Sequence, residues 1–141
     1  DARPTDQLTY REGHLRGRAI LLLEDQPLNM MIAQKLLEKQ GMTVTCAENG
    51  AVGLERFMQS PEGSYDAILT DIRMPKMDGL EVARSIRALE RTDARSVPIV
   101  AMTANAFAED IRESERAGMN AHLSKPIEPL LLYQTLERLI P

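Results

Sequence analysis

The chain has 141 residues, 43% hydrophobic and 27% charged, a composition that suits one domain able to bury roughly 68–70% of its unfolded surface without disulfides or structural metals. A single cysteine, Cys46, excludes an intramolecular disulfide and any Cys-rich zinc module. With 17 basic against 21 acidic residues the net charge is −4, which argues against direct nucleic-acid binding.

The residues from Asp1 to about Arg16 are polar, carry Pro4 and Gly13, and show no sustained period, so 1–16 is expected to be a linker or disordered arm and 17–141 the folded domain. A start at Asp1 is what a piece cut from a longer protein would show. From Ala19 onward, short apolar runs alternate with helix-period stretches in five pairs, the pattern of βα units around a parallel sheet. The spacing predicts strands over Ala19–Leu23, Thr43–Ala47, Asp66–Thr70, Val97–Met102 and Ala121–Ser124. The first, third and fourth are continuous apolar runs, as in strands covered on both faces, whereas Thr43-Val44-Thr45-Cys46-Ala47 alternates and fits an edge. Leu28, Met31, Ile32 and Leu36 form an apolar stripe at helical spacing that ends at Gly41. Further helices are expected over Gly50–Met58, Leu80–Leu89, Phe107–Ala117, closed by Gly118, and Leu130–Ile140. No apolar run is long enough to span a bilayer and no signal-peptide pattern is present, so no membrane contact is expected of this stretch.

Ligands of an open parallel sheet bind outside the C-terminal ends of its strands. Glu24 and Asp25 stand at the end of the first strand, Asp71 at the end of the third, Thr103 at the end of the fourth, and Ser124 and Lys125 after the fifth. Carboxylates gathered there repel one another unless a hard cation joins them, and an oxygen-only set suits Mg²⁺. A lysine opposite them suits a phosphoryl group. Taken one at a time, these residues have plainer uses. Asp71 opening toward Asp78-Gly79 fits a turn, Thr103 a loop hydroxyl with Asn105 as a helix N-cap, and Lys125 a solvated charge. Met30, Met31, Met102 and Met119 read as core filler and Cys46 as an inert small hydrophobe.

Leu23-Glu24-Asp25-Gln26-Pro27-Leu28-Asn29, Asp71-Ile72-Arg73-Met74-Pro75-Lys76-Met77-Asp78-Gly79, Met102-Thr103-Ala104-Asn105 and Leu123-Ser124-Lys125-Pro126, in this order, closely resemble the receiver domain of bacterial two-component response regulators. The resemblance covers about Leu15 to Ile140. It implies a flavodoxin-like (βα)5 doubly wound fold with a five-stranded parallel sheet in the order 2-1-3-4-5. It also implies Asp71 as phosphoacceptor, taking a phosphoryl group from a phosphohistidine, and Lys125 and Thr103 as the residues that neutralise and bind it. Glu24, Asp25, Asp71 and the backbone carbonyl of Arg73 would hold Mg²⁺ (or Mn²⁺), and Lys125-Pro126 resembles the family's cis peptide.

Two positions depart from the family's common pattern. His122 stands three residues before Lys125, where many receivers carry Tyr or Phe, so Thr103 and His122 would form the switch between the helix over 107–117 and the fifth strand; a half-buried strand histidine is the plainer reading. Arg73 puts a long cation at the mouth of the site, where it would alter phosphoryl lifetime. The phrases around Asp25-Gln26-Pro27-Leu28-Asn29 and Met102-Thr103-Ala104-Asn105-Ala106 look like receivers fused behind histidine kinases. That implies a bacterial, cytoplasmic relay whose parent kinase is anchored in the inner membrane. Its partners would be a histidine kinase dimerisation and phosphoacceptor domain and a histidine phosphotransfer domain, docking on Pro27, Leu28, Met31 and Gln34. The alternative is a receiver-like interaction module that works without phosphorylation. A flavin or nucleotide binder would need a glycine-rich phosphate loop where Glu24-Asp25 stand, and a haloacid-type phosphatase would need an Asp where Arg73 stands.

Overall fold

A computed structural model describes residues 13–104 and 108–141, with the side chains of 108–110 left aside. Five strands, β1 (Ala19–Leu23), β2 (Thr43–Ala47), β3 (Ala67–Asp71), β4 (Ile99–Thr103) and β5 (Ala121–Ser124), form one sheet in the order β2-β1-β3-β4-β5. Every neighbouring pair is parallel. The order reverses between β1 and β3, which opens a crevice at their C-terminal ends. Among the described residues the helices are α1 (Pro27–Lys39), α2 (Gly50–Gln59), α3 (Gly79–Arg87), α4 (Thr92–Ser96), α5 (Ala108–Arg116) and α6 (Pro129–Leu139). None is long and apolar enough to cross a membrane.

The continuous apolar strands follow from the two-residue period of a sheet buried on both faces. Ile20, Leu22, Leu69, Val100 and Met102 point to one face, where Ala33 and Leu37 of α1 and Leu132, Tyr133 and Leu136 of α6 cover them. Leu21, Leu23, Ile68, Ile99 and Ala101 point to the other, against Phe57 of α2, Val82, Ala83 and Ile86 of α3, and Ala94 of α4. At the edge, β2 buries only Ala47, as its alternating sequence predicts. Gly41 and Gly118 adopt φ of +86° and +99°, the left-handed backbone that ends α1 and α5 where the sequence places the stops.

Four expectations shift. Leu15 is buried in the core beside Leu37 and Met42, so residues 13–16 pack onto the fold rather than forming part of an arm; residues 1–12 lie outside the described residues. Strand β3 runs over Ala67–Asp71, one residue later than the expected Asp66–Thr70, and Asp66 instead caps the ladder with its carboxylate on the Ala19 N–H at 2.8 Å. Strand β4 begins after Pro98, since the Val97 N–H closes α4 on the Asp93 carbonyl and Pro98 has no N–H to give. Helix α4 itself is five residues long with one buried side chain, too short to leave a period in the sequence. The expected start of α5 at Phe107 and its Asn105 cap lie outside the described residues.

The helix over α1 forms where expected, but on a different face. Of the expected apolar stripe, Leu28, Met31 and Ile32 are 62%, 46% and 46% exposed and Leu36 packs half-buried against the core, while Ala33 and Leu37 are the buried pair. Met102 and Met119 are core residues and Met30 packs against the core, so of the four methionines only Met31 lies on the surface.

Candidate functional site

Strand ends β1, β3, β4 and β5 bring the polar residues named from the sequence to one edge of the sheet. Glu24, Asp25 and Asp71 each offer a carboxylate oxygen within 4.8 Å of the other two. Glu24 is 1% exposed and Asp71 7%. Such crowding of like charges is tolerated only with a cation among them, and Lys125 supplies one: its Nζ donates to Glu24 Oε1 at 2.8 Å and to Asp71 Oδ2 at 2.7 Å.

The remaining oxygens are held by backbone. Asp71 Oδ1 accepts from the Arg73 N–H at 3.3 Å, and Glu24 Oε2 from the Gln26 N–H at 3.1 Å. Asp71 is the last residue of β3, paired in register with Met102. Behind it Gly79 starts α3 so close that an added Cβ would lie 2.3 Å from the Asp71 carbonyl oxygen, which explains the glycine after Asp78. Asp78 caps α3 in a reciprocal box with Glu81, the local reason the loop turns into a helix here. The Lys125-Pro126 peptide is cis, and the Lys125 N–H donates to the Thr103 carbonyl at 2.9 Å, joining the ends of β4 and β5.

Electrostatics follow from this packing. Burial pushes the Glu24 carboxyl above the usual carboxylate range, partly offset by its bonds to Lys125 and the Gln26 N–H. Burial alone would lower Lys125, but its bonds to Asp71 and Glu24 outweigh that and hold its pKa above the ordinary lysine value. The ammonium is therefore fixed as a cation throughout the neutral range. An all-oxygen donor set with no thiol or imidazole fits a hard divalent cation such as Mg²⁺.

Thr103 ends β4, buried, opposite Ser124. His122 is half-buried and lies beside Ala101, one pair along the same face of the sheet as Thr103. It lines a cleft with Ser114, Glu115, Asn120 and Arg138. Arg73 is exposed. Pro27, Leu28 and Met31 stand exposed on α1, but Gln34 turns away: its Oε1 accepts from the Cys46 thiol at 3.4 Å and its Nε2 donates to Glu38. Burial raises the Cys46 pKa, in keeping with an unreactive thiol.

Sequence reasoning missed a small groove that opens beside the cluster. It is lined by Asn29, Ile32 and Ala33 of α1, by Pro126 and Ile127 after β5, and by Glu24, Lys125 and Met102. Ile32 belongs to the expected core stripe; the signal against it is Ala33, whose smallness suits a helix face pressed against the sheet better than Ile32 does.

Comparison with known proteins gives a consistent picture. A family model described as "Response regulator receiver domain" matches residues 20–137. Over 119 residues, covering 83% of this chain and 7% of the relative, the chain is 36% identical to hybrid signal transduction histidine kinase I of Dictyostelium discoideum. The curated relatives it matches are much longer, and the chain spans 6% to 16% of their lengths. The receiver domain of sensor histidine kinase PA1611 from Pseudomonas aeruginosa PAO1, with a magnesium ion coordinated in its active site cleft, is similar at TM-score 0.78 and 39% identity, over 87% of this chain and 97% of that one. The receiver domain of Ssk1, crystallised with the histidine phosphotransfer protein Ypd1 of Saccharomyces cerevisiae, is similar at TM-score 0.79 and 27% identity, over 88% and 89%. Such relatives extend beyond bacteria to a slime mould and a yeast.

Proposed function

The chain belongs to the response regulator receiver domain family, and from that premise we propose that it accepts a phosphoryl group on Asp71 from a phosphohistidine donor and passes it to a histidine phosphotransfer domain. The observation that carries this reading is the Lys125 ammonium set between Glu24 and Asp71, within a cluster of three carboxylates. Asp71 Oδ is the nucleophile: its bond to phosphorus forms as the donor's P–N bond breaks, leaving an acyl phosphate. In-line transfer asks mainly for positioning and charge neutralisation. The strand fixes Asp71, Lys125 neutralises one phosphoryl oxygen, and the Thr103 hydroxyl donates to another.

Glu24, Asp25, Asp71 and the Arg73 carbonyl would hold Mg²⁺, or Mn²⁺, which when bound neutralises further phosphoryl charge. Intact-mass measurement after incubation with acetyl phosphate and Mg²⁺ tests the reading directly. One phosphoryl group should be gained, and an excess of chelator should abolish the gain. A folded protein that binds Mg²⁺ yet gains nothing, from acetyl phosphate or from a phosphorylated histidine kinase, would favour an interaction module that works without phosphorylation.

Thr103 and His122 form the switch in this reading, supported by their shared sheet face. Amide shifts at residues 119–124 are therefore expected to change in step with the mass gain; a phosphorylated sample in which they stay put would remove His122 from the switch. Arg73, exposed at the mouth, screens the acyl phosphate from water. Arg73→Ala should shorten the phosphorylated lifetime several-fold, and equal half-lives would sink this role.

The docking surface for donor and recipient is the exposed face of α1, with Pro27, Leu28 and Met31, extended by Ile32. Apolar side chains left this open on one helix beside the acceptor suit a helical partner, and the similarity to a receiver crystallised with a phosphotransfer protein supports this choice. A histidine kinase dimerisation domain would use the same face. Met31→Asp should weaken transfer to a phosphotransfer domain while leaving the reaction with acetyl phosphate intact; unchanged transfer would exclude this face.

A further inference from the structure

Helix α1 begins without a side-chain cap of its own. Gln26 is the N-cap residue, in extended conformation, and its side chain bonds none of the helix N–H groups. Pro27 follows at the first helical position, where no N–H is needed. In a reciprocal capping box the N-cap N–H is bonded by an acidic side chain three residues into the helix; here that position is Asn29, and the bond comes instead from Glu24 on the preceding strand end, Oε2 at 3.1 Å. The second oxygen of the same carboxylate holds Lys125 at 2.8 Å. Glu24 is almost wholly buried and its backbone is fixed by its N–H on the Ala47 carbonyl, so the carboxylate can turn but not travel.

We propose that Glu24 is a positioning residue that carries the state of the carboxylate cluster into the first turn of α1, and so into the groove between α1 and the Lys125–Ile127 segment. The inference rests on the phosphoacceptor reading of the cluster. Its physical basis is that both carboxylate oxygens are already engaged in this state. A divalent cation or a phosphoryl group that draws Lys125 or Glu24 toward itself must change a bond at one end or tilt the carboxylate at the other. The N-cap N–H and the negative charge at the helix start are then perturbed together. Asn29, Ile32 and Ala33 lie within the next two turns and form one wall of the groove, while Pro126 and Ile127, next to Lys125 in the chain, form the other. One carboxylate thus bonds both the start of α1 and Lys125, from which the two sides of the groove continue, and a docking partner would meet a differently set groove before and after loading.

Amide exchange and Mg²⁺ titration by NMR on the whole 141-residue chain decide this. In the metal-free protein, Glu24→Ala is expected to speed exchange of the Gln26 N–H about tenfold, the effect of losing one charge-assisted hydrogen bond, with α6 amides unchanged as a control for folding. Glu24→Asp, which can still reach the N–H two residues on, should restore the protection. Asp25→Ala should weaken Mg²⁺ binding and leave Gln26 protected. In wild type, Mg²⁺ should shift the amides of Leu28, Asn29, Ala33 and Ile127, and this response should be lost in Glu24→Ala even when saturated. Gln26 exchange in Glu24→Ala equal to wild type, or α1 amides that ignore Mg²⁺ while Asp25 and Asp71 respond, would overturn the coupling. A wild type in which no amide responds to Mg²⁺ and no phosphoryl group is gained would overturn the reading of the cluster instead, and the exchange comparison would still decide whether Glu24 anchors α1.

Discussion

Asp71→Asn is expected to take up no phosphoryl group from acetyl phosphate and Mg²⁺, with the intact mass unchanged where wild type gains one group. Asparagine keeps the volume and the side-chain carbonyl that accepts from the Arg73 N–H, so the loop and strand β3 should stay in place. What it lacks is the carboxylate oxygen that becomes the acyl phosphate. The loss is complete rather than graded, because a poor nucleophile in a well-built site is still no acceptor. Modification of Asp71→Asn to the wild-type extent would move the acceptor elsewhere, and Glu24 and Asp25 would be the carboxylates to substitute next. Far-ultraviolet circular dichroism of the same sample separates lost chemistry from lost fold.

Lys125→Ala carries the second large effect, and it falls on stability. Without the ammonium, Glu24 and Asp71 keep carboxylate oxygens within 4.8 Å of each other in a buried setting. Breaking a fully buried pair costs about 3–5 kcal/mol; because the Lys125 side chain is 18% exposed, water relieves part of this and about 1–3 kcal/mol is expected in the metal-free protein. Urea denaturation measures it. Mg²⁺ should restore most of the loss, since a cation again sits among the carboxylates, and should stabilise the variant more than wild type.

The pH dependence has a definite sign. A carboxyl whose folded pKa is raised binds its proton more tightly in the folded state, so its contribution to stability improves as pH falls toward 4.5. Removing Lys125 removes influences that lower Glu24, so mild acidification should recover stability in the variant more than in wild type. For wild type, the contribution of the raised Lys125 is present at neutral pH and lost only above 10.5. A variant as stable as wild type at pH 7 without metal would mean that the ion pair adds nothing to the fold.

The ends of β1, β3 and β4 were legible in the sequence because each sits at the close of a continuous apolar run, and such runs mark strands buried on both faces. Asp71 and Lys125 gained meaning only together, since either alone fits a turn or a surface. The face of α1 was not legible: Leu28, Met31 and Ile32 are as apolar as any core stripe, and periodicity reports that a helix has an apolar side without reporting whether a neighbour covers it. Helix α4 escaped because five residues make little more than one turn. The bond from Glu24 to the Gln26 N–H escaped for a different reason. It depends on where a flexible side chain ends up among Lys125, Asp71 and the helix start, and no residue pattern encodes that.

The sheet that divides the core into two layers also divides the molecule's obligations. The exposed α1 residues proposed for docking belong to the layer of Ala33 and Leu37, whereas His122, paired with Ala101, lies on the opposite side of the sheet. Substitutions in separate layers that share no partner act nearly independently. Under the docking and switch roles proposed above, changes at Leu28, Met31 or Ile32 would alter partner recognition without retuning the response at His122. Duplicated copies of such a domain could diverge in whom they hear while keeping how they answer.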